Sequence, residues 1–263
     1  MAFFNIWTHR HLLAQLIQKD IRARYKGSLL GIAWSLVTPI LMLLVYTFVF
    51  SVVFKARWGS GSSASTLDFA VNLFAGLIVF GIFSESINQA PGLITANVNY
   101  VKKVIFPLEI LSLVSLGSVL FHSLISLLVL LVVQFATQGL LPWTIIFFPL
   151  VLWPLLLASV GISWFLSATA VYIRDIGQIT NVFMTILMFM SGVFYPIASL
   201  PDNYQILRFN PIAIAIDESR KVLIRQEMPD WPTLALLFAL GALIAWLGFW
   251  WFKKTRKGFA DVI

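Results

Sequence analysis

The sequence predicts an all-α membrane protein: six transmembrane helices, an amphipathic interfacial helix ahead of them, and a re-entrant outer helical pair between the last two. Three observations carry this. Only 11% of the 263 residues are charged and 60% are hydrophobic, with a mean hydropathy of +0.91, whereas a soluble domain carries about 25% charged residues. Too few polar side chains remain to cover a surface in water. Residues 27–54, 69–84, 110–173, 176–201 and 231–252 contain no Asp, Glu, Lys or Arg, and a spanning helix needs ~20 predominantly apolar residues. The cations, finally, are spread unevenly around these runs. Lipid admits only helices or closed barrels, and the runs are too long for barrel strands.

The interfacial helix is expected over residues 8–26. Leu13, Ile17, Ile21 and Tyr25 recur every fourth residue, joined by Leu12 and Leu16, while Gln15, Lys19, Arg22 and Lys26 form the opposing row. Such a helix lies in the interface plane with its cations toward anionic headgroups. An ordinary basic flank to the first span accounts for the charges but not for the apolar row.

The spans follow as 29–54, 67–88, 110–133, 143–172, 176–199 and 231–252. The long run 110–173 breaks at "VQFATQGLLP" (133–142), where Gln134, Gln138, Gly139 and Pro142 supply polarity and turn chemistry. The second span is the weakest, since Asp68 and Glu85 lie near its ends and have to reach the interfaces. Six spans put both termini on one side. That side then holds twelve Lys and Arg against six on the other, and carries all of the net charge of +7. The positive-inside rule places it in the cytoplasm. The basic balance is therefore topology rather than a nucleic-acid footprint.

Four regions are candidates for function. The inner loop "ESINQAPGLITANVNYVKKVIFPLEIL" offers Asn88 as the cap of a short helix with Pro91 in its first turn and Lys102 and Lys103 near its far end. It is either a docking element or a plain interfacial hairpin. In the third span, Ser112, Ser115, Ser118, His122 and Ser126 fall within an arc of roughly 120° at helical spacing. A stripe of small polar residues is ordinarily a packing face; lining an aqueous path is the sharper alternative. At the end of the fifth span Phe189, Phe194 and Tyr195 surround Gly192. Aromatic rings there are belt anchors by default, or flat surfaces against which sugar C–H groups stack. Between the last spans, Asn210 caps a helix with Pro211 in its first turn. Its apolar part is too short to cross, so a re-entrant pair over 201–225 fits, with backbone at depth buried in protein. Asp217, Glu218, Arg220 and Lys221 stand at three- and four-residue spacing suited to ion pairs.

Several chemistries are missing. There is no Gly-Lys dipeptide and hence no usual phosphate-binding loop, no HExxH, no GxSxG and no cysteine. No metal site and no cofactor are expected in this chain, and no cleavable signal peptide is apparent. No charge sits clearly mid-span, which argues against an ion-driven pump built on buried carboxylates. If the protein drives transport uphill, its energy comes from another chain.

Five blocks, in order, resemble the membrane subunits of ABC transporters that export polysaccharides (O-antigen, capsule and teichoic acid). They are "KDIRARYKGSLLGIAWSLVTP" (19–39), "NVNYVKKVIFPLEIL" (97–111), "YIRDIGQI" (172–179), "MSGVFYP" (190–196) and "NPIAIAIDESRKVL" (210–223). The resemblance covers nearly the whole chain. It implies a homodimer in the bacterial inner membrane, paired with a separate ATP-binding subunit that holds ATP and Mg, and a lipid-linked polysaccharide as substrate. It also implies a coupling helix at 91–105, with Asn97, Asn99, Tyr100, Lys102 and Lys103 near the contact, and an outer gate at 201–225 that includes Asn210, Pro211, Asp217, Glu218 and Arg220. The sugar channel would be lined by Phe189, Phe194 and Tyr195, with Ser115 and His122 deeper in. A type-2 ABC exporter of a small hydrophobic compound or lipid shares this fold. A membrane-embedded lipid-modifying enzyme needs a polar or metal-binding cluster at the interface, and none is visible.

Overall fold

The computed structural model describes residues 9–54, 58, 66–101, 106–197 and 201–262. The described residues are helical with irregular connections, and no strand occurs among them. Among the described residues, five helices are long and apolar enough to cross a membrane: Gly31–Phe50, Asp68–Gln89, Ile110–Thr137, Trp143–Ala170 and Trp231–Gly258. We label the α-helices α1 (Arg10–Tyr25), α2 (Trp34–Tyr46, continued by a wider turn over Thr47–Val53), α3 (Thr66–Gln89), α4 (Gly92–Thr95), α5 (Val98–Val101), α6 (Ile110–Gln138), α7 (Phe148–Ala170), α8 (Ile176–Met190), α9 (Pro211–Arg220), α10 (Trp231–Thr255) and α11 (Phe259–Val262).

The interfacial row has the expected pattern. Leu12, Leu13, Leu16, Ile17, Ile21 and Tyr25 are partly buried, while Gln15, Lys19, Arg22 and Lys26 are exposed. The apolar side, however, lies on protein. Ile17 packs so closely on Gly117 of α6 that a Cβ there would collide with it. Residue 8, the expected start, lies outside the described residues.

The span expected to be weakest is the most enclosed. Along α3, Phe69, Leu73, Phe74, Ile78, Val79, Phe80, Ile82, Phe83 and Ile87 are buried on every side of the helix, the signature of a helix surrounded by others. Its flanking Glu85 reaches a protein cation, Arg24 of α1, rather than a headgroup. The span expected over 176–199 is shorter in the structure. Ser191 and Gly192, the latter at φ +66°, end α8 after 15 residues, a length of about 22 Å.

α7 and α10 make the tightest helix pair. A Cβ on Gly248 would overlap the carbonyl of Gly161, and one on Gly241 would meet the carbonyl of Pro154. Small residues let two membrane helices approach to backbone contact. Gly248→Ala must therefore push the helices apart, and overpacking of this kind costs about 1–3 kcal/mol. We expect less folded protein in the membrane and an earlier thermal transition in detergent. An unshifted transition would show that the pair can slide without loss.

The inner loop differs from expectation. Asn88 does not cap a helix, because α3 runs through it to Gln89. Pro91 itself precedes α4, and a turn at Ala96–Asn97 separates α4 from α5. One helix over 91–105 is therefore replaced, in the described part, by two four-residue helices. Lys102 and Lys103 lie outside the described residues.

Candidate functional site

At the end of the bundle away from the termini, α8 finishes at Met190 and the chain doubles back through Gly192. A residue without Cβ is required at this left-handed turn, and the return lays Phe194 on Phe189, with ring centroids 5.2 Å apart and planes 23° from parallel. The other side of Phe194 stacks on Phe50, 5.8 Å away. Phe50 in turn stacks on Phe69 at 5.6 Å and packs against Phe54 at 5.7 Å. Trp58 meets Phe69 edge-on at 5.4 Å. The Tyr195 hydroxyl donates to the Phe189 carbonyl at 2.7 Å, pinning the turn. Phe189, Phe194 and Tyr195 are thus brought together as part of a larger aromatic array joining α2, α3 and α8. Sequence reading missed Phe50, Phe54, Phe69 and Trp58. A signal existed, since Tyr46, Phe50 and Phe54 recur at four-residue spacing along one side of the first span.

Ser115 and His122 stand elsewhere, toward the terminal end. Ser115 is buried and donates to Gln89 Oε1 at 2.6 Å, which makes it a packing contact between α6 and α3. His122 lines a separate open cavity of about 510 Å3 with Arg24, Tyr25, Ser35, Glu85, Ser123 and Ser126. Its Nδ1 lies 3.0 Å from the Tyr25 hydroxyl, and its Nε2 has no partner among the described residues. Arg24 and Glu85 form an ion pair among the residues lining this cavity. The five residues expected along one channel therefore occupy three places.

The segment 201–225 folds as a 3-10 turn over Asp202–Phe209, then α9, then a wide turn over Lys221–Arg225. Asn210 caps α9 as expected: its Oδ1 accepts from Ile212 N at 3.0 Å, and its Nδ2 donates to the Met190 carbonyl at 3.2 Å, so the cap also fastens α9 to the end of α8. Pro211 occupies the first turn. Ile212 and Ile216 are buried. Beyond α9, the carbonyls of Val222 and Leu223 accept from Thr144 Oγ1 at 2.7 Å and Gln134 Nε2 at 2.9 Å. Buried carbonyls need such partners, and here two neighbouring helices supply them.

The charged cluster on α9 pairs only partly as its spacing suggests. Glu218, 3% exposed, accepts from Lys221 Nζ at 2.6 Å and from the Asp230 backbone N–H at 2.9 Å. Burial lowers the Lys221 pKa, but the Glu218 carboxylate, with Asp217 and Asp230 near, outweighs it and raises that pKa above its ordinary value. Asp217 reaches past the expected partners to Arg225 at 2.8 Å. Arg220 makes no ion pair among the described residues. Its donors go to three backbone carbonyls, those of Asn72, Gly192 and Val193. This departs from the spacing argument for a physical reason: the side chain points into the bundle, where among the described residues backbone carbonyls, and no carboxylate, come within bonding distance.

At the terminal end, Tyr100 lies flat on Phe106, centroids 4.3 Å apart and planes 10° from parallel. Its hydroxyl accepts from Lys19 Nζ at 3.3 Å, tying the inner loop to α1. Asn97 is used internally, donating to the Leu93 carbonyl at 2.9 Å, while Asn99 is exposed.

A helical membrane bundle with a structured loop at one end and an aromatic array under a buried short helix at the other has the form of a transporter's membrane component. Residues 11–224 match the family model described as ABC-2 type transporter, and the chain belongs to that family. It is similar to the O-antigen export system permease protein RfbA of Myxococcus xanthus, with 27% identity over 98% of each chain. RfbA of Klebsiella pneumoniae is 24% identical over 99% of this chain and 98% of its own. The polysialic acid transport protein KpsM of Escherichia coli is 27% identical over 79% of both.

Proposed function

We propose that this chain is the membrane-spanning subunit of an ATP-driven exporter that carries a lipid-linked, O-antigen-like polysaccharide from the cytoplasm to the outer side of the inner membrane. The observation that carries this reading is the end-to-end similarity to permeases named for O-antigen export. The chain works as a homodimer beside a separate ATP-binding subunit, which holds ATP and Mg. α2 buries only Ser35, Pro39 and Leu43, and α8 only Thr180 and Met184. These two helices therefore offer the free faces that a second copy would cover. α8, the fifth span in chain order, brings the number of crossings to six, with the returning turn at 191–197 lying at the outer interface. The loop 91–105, with Asn97, Asn99, Tyr100, Lys102 and Lys103, takes the push of the ATP-binding subunit, and 201–225 is a re-entrant gate at the outer end. The aromatic array lies at the passage beneath it.

The test is reconstitution of the permease with its ATP-binding subunit in vesicles loaded with lipid-linked polymer on the cytoplasm-equivalent side. ATP-dependent appearance of the polymer on the other face supports the proposal. Movement of a small hydrophobic compound with no movement of polymer would assign the chain to the alternative class of type-2 exporter.

The topology follows from the charge count. Reporter fusions at Thr95, Arg174 and Ala260 should give cytoplasmic signals, and fusions at Gly139 and Ala215 external ones. A cytoplasmic signal at Ala215 would remove both the six-span topology and the outer gate.

A further inference from the structure

We propose that Arg220 is the latch that holds the outer end of the permease shut, tying α9 at once to α3 and to the turn after α8. The inference rests on the reading of 201–225 as an outer gate. The residue is 3% exposed. Its Nε donates to the Asn72 carbonyl at 2.9 Å, Nη1 to the Gly192 carbonyl at 2.8 Å and Nη2 to the Val193 carbonyl at 2.8 Å. A guanidinium presents its donors in fixed directions, so the three bonds form together only when α3, α9 and the 192–193 turn hold one arrangement. Gly192, at φ +66°, sets that turn and offers two successive carbonyls to one fork. On α3, Gly76 leaves the space the guanidinium fills, since a Cβ there would collide with Nη2. The Trp58 ring faces Cζ at 4.3 Å, a cation–π contact that joins the latch to the aromatic array.

The same chemistry makes the contact releasable. A buried charge without a directly bonded counter-charge is costly relative to water, and among the described residues three carbonyl dipoles, one ring and the more distant Asp217 carboxylate offset that cost. Asp217 and Glu218, the nearest carboxylates in sequence, are engaged by Arg225 and Lys221. Losing the carbonyls therefore returns the guanidinium to hydration, whereas an apolar side chain at 220 would have nothing to gain by leaving. On this proposal the site has two discrete states, bonded to the carbonyls or hydrated, as a switch element requires. Two of the three carbonyls ride on the far end of α8, whose first turn lies against the inner loop: a Cβ on Gly177 would touch Pro91 at 3.8 Å. A displacement of α8 driven from the inner loop withdraws the carbonyls of Gly192 and Val193 from Arg220.

The chain has no cysteine, so a single Ile216→Cys change gives a clean reporter. The complex with its ATP-binding subunit is reconstituted without ATP, and the rate of modification by a bulky water-soluble maleimide is measured from the outer side. The parent should be protected. Arg220→Lys, which cannot span three carbonyls, and Gly76→Ala, which displaces the guanidinium without altering any charge, should each raise the resting rate at least tenfold. Lys257→Ala, which removes an exposed cation at the opposite end of the bundle, should leave it unchanged. If either latch variant assembles at the parent level and residue 216 stays as protected as in the parent, the latch is wrong and the gate stands. Rapid labelling of the parent itself would overturn the gate, and the latch with it.

Discussion

Tyr100→Asp should uncouple ATP hydrolysis from export. In the complex, hydrolysis persists while polymer movement falls by more than tenfold. The side chain works on two sides. Within the chain it stacks on Phe106 at 4.3 Å and receives Lys19 of α1 at 3.3 Å, so it fixes the inner loop against the interfacial helix. A stacked aromatic pair contributes about 0.5–1.5 kcal/mol beyond its burial. Asp keeps none of that surface and loosens the segment proposed to take the push of the ATP-binding subunit. If Tyr100 anchors the proposed contact with the ATP-binding subunit, an aromatic hot spot of this kind carries about 2 kcal/mol or more, which corresponds to a loss of more than tenfold. Tyr100→Phe separates the effects, since it retains the stack and removes only the hydrogen bond from Lys19. It should export at close to the parental rate. Parental coupling in Tyr100→Asp, with the dimer intact, would take the drive away from this loop. ATPase activity of the permease alone would contradict the whole reading.

The parts of this machine that were legible in the sequence are those written in local periodicity. The α1 row of Leu13, Ile17, Ile21 and Tyr25 is partly buried as its spacing requires, and the Asn210–Pro211 pair starts α9 with the expected cap. Local chemistry also misled. Asn88 and Pro91 read as the start of a helix, but the apolar sequence of α3 carries that helix on to Gln89. Asp68 and Glu85 made the central helix look marginal, because the pairing of Glu85 with Arg24, 61 residues away, has no local signature. Arg220 is the sharpest case. Spacing assigns it a carboxylate on its own helix, whereas it bonds to backbone carbonyls, and every residue type carries one. Only the fold selects Asn72, Gly192 and Val193. The aromatic array was half visible for a related reason: rings at 50, 58, 69, 189 and 194 are close in space but scattered along the chain.

Phe189→Ala should reduce export about tenfold without reducing the amount of assembled permease. The ring is 57% exposed in the single chain, so truncation leaves no internal void and the cost of cavity formation does not arise. What it does remove is one flat face beside Phe194. If a sugar chain slides along this array, that face stabilises the moving polymer; if the ring only anchors the protein at the interface, its loss leaves transport alone. Phe194→Ala is a different experiment. Phe194 lies between Phe189 and Phe50 and is part of the core packing, at 5.2 and 5.8 Å from its neighbours. Its loss should lower both assembly and export. The decisive control is a ring equally exposed on another helix: Phe135 of α6, also 57% exposed, belongs to no stack in the array. Phe135→Ala should export normally. Equal loss in Phe189→Ala and Phe135→Ala would mean that both rings serve the membrane interface. Loss confined to Phe189, with protein levels held, puts the moving sugar chain against this wall.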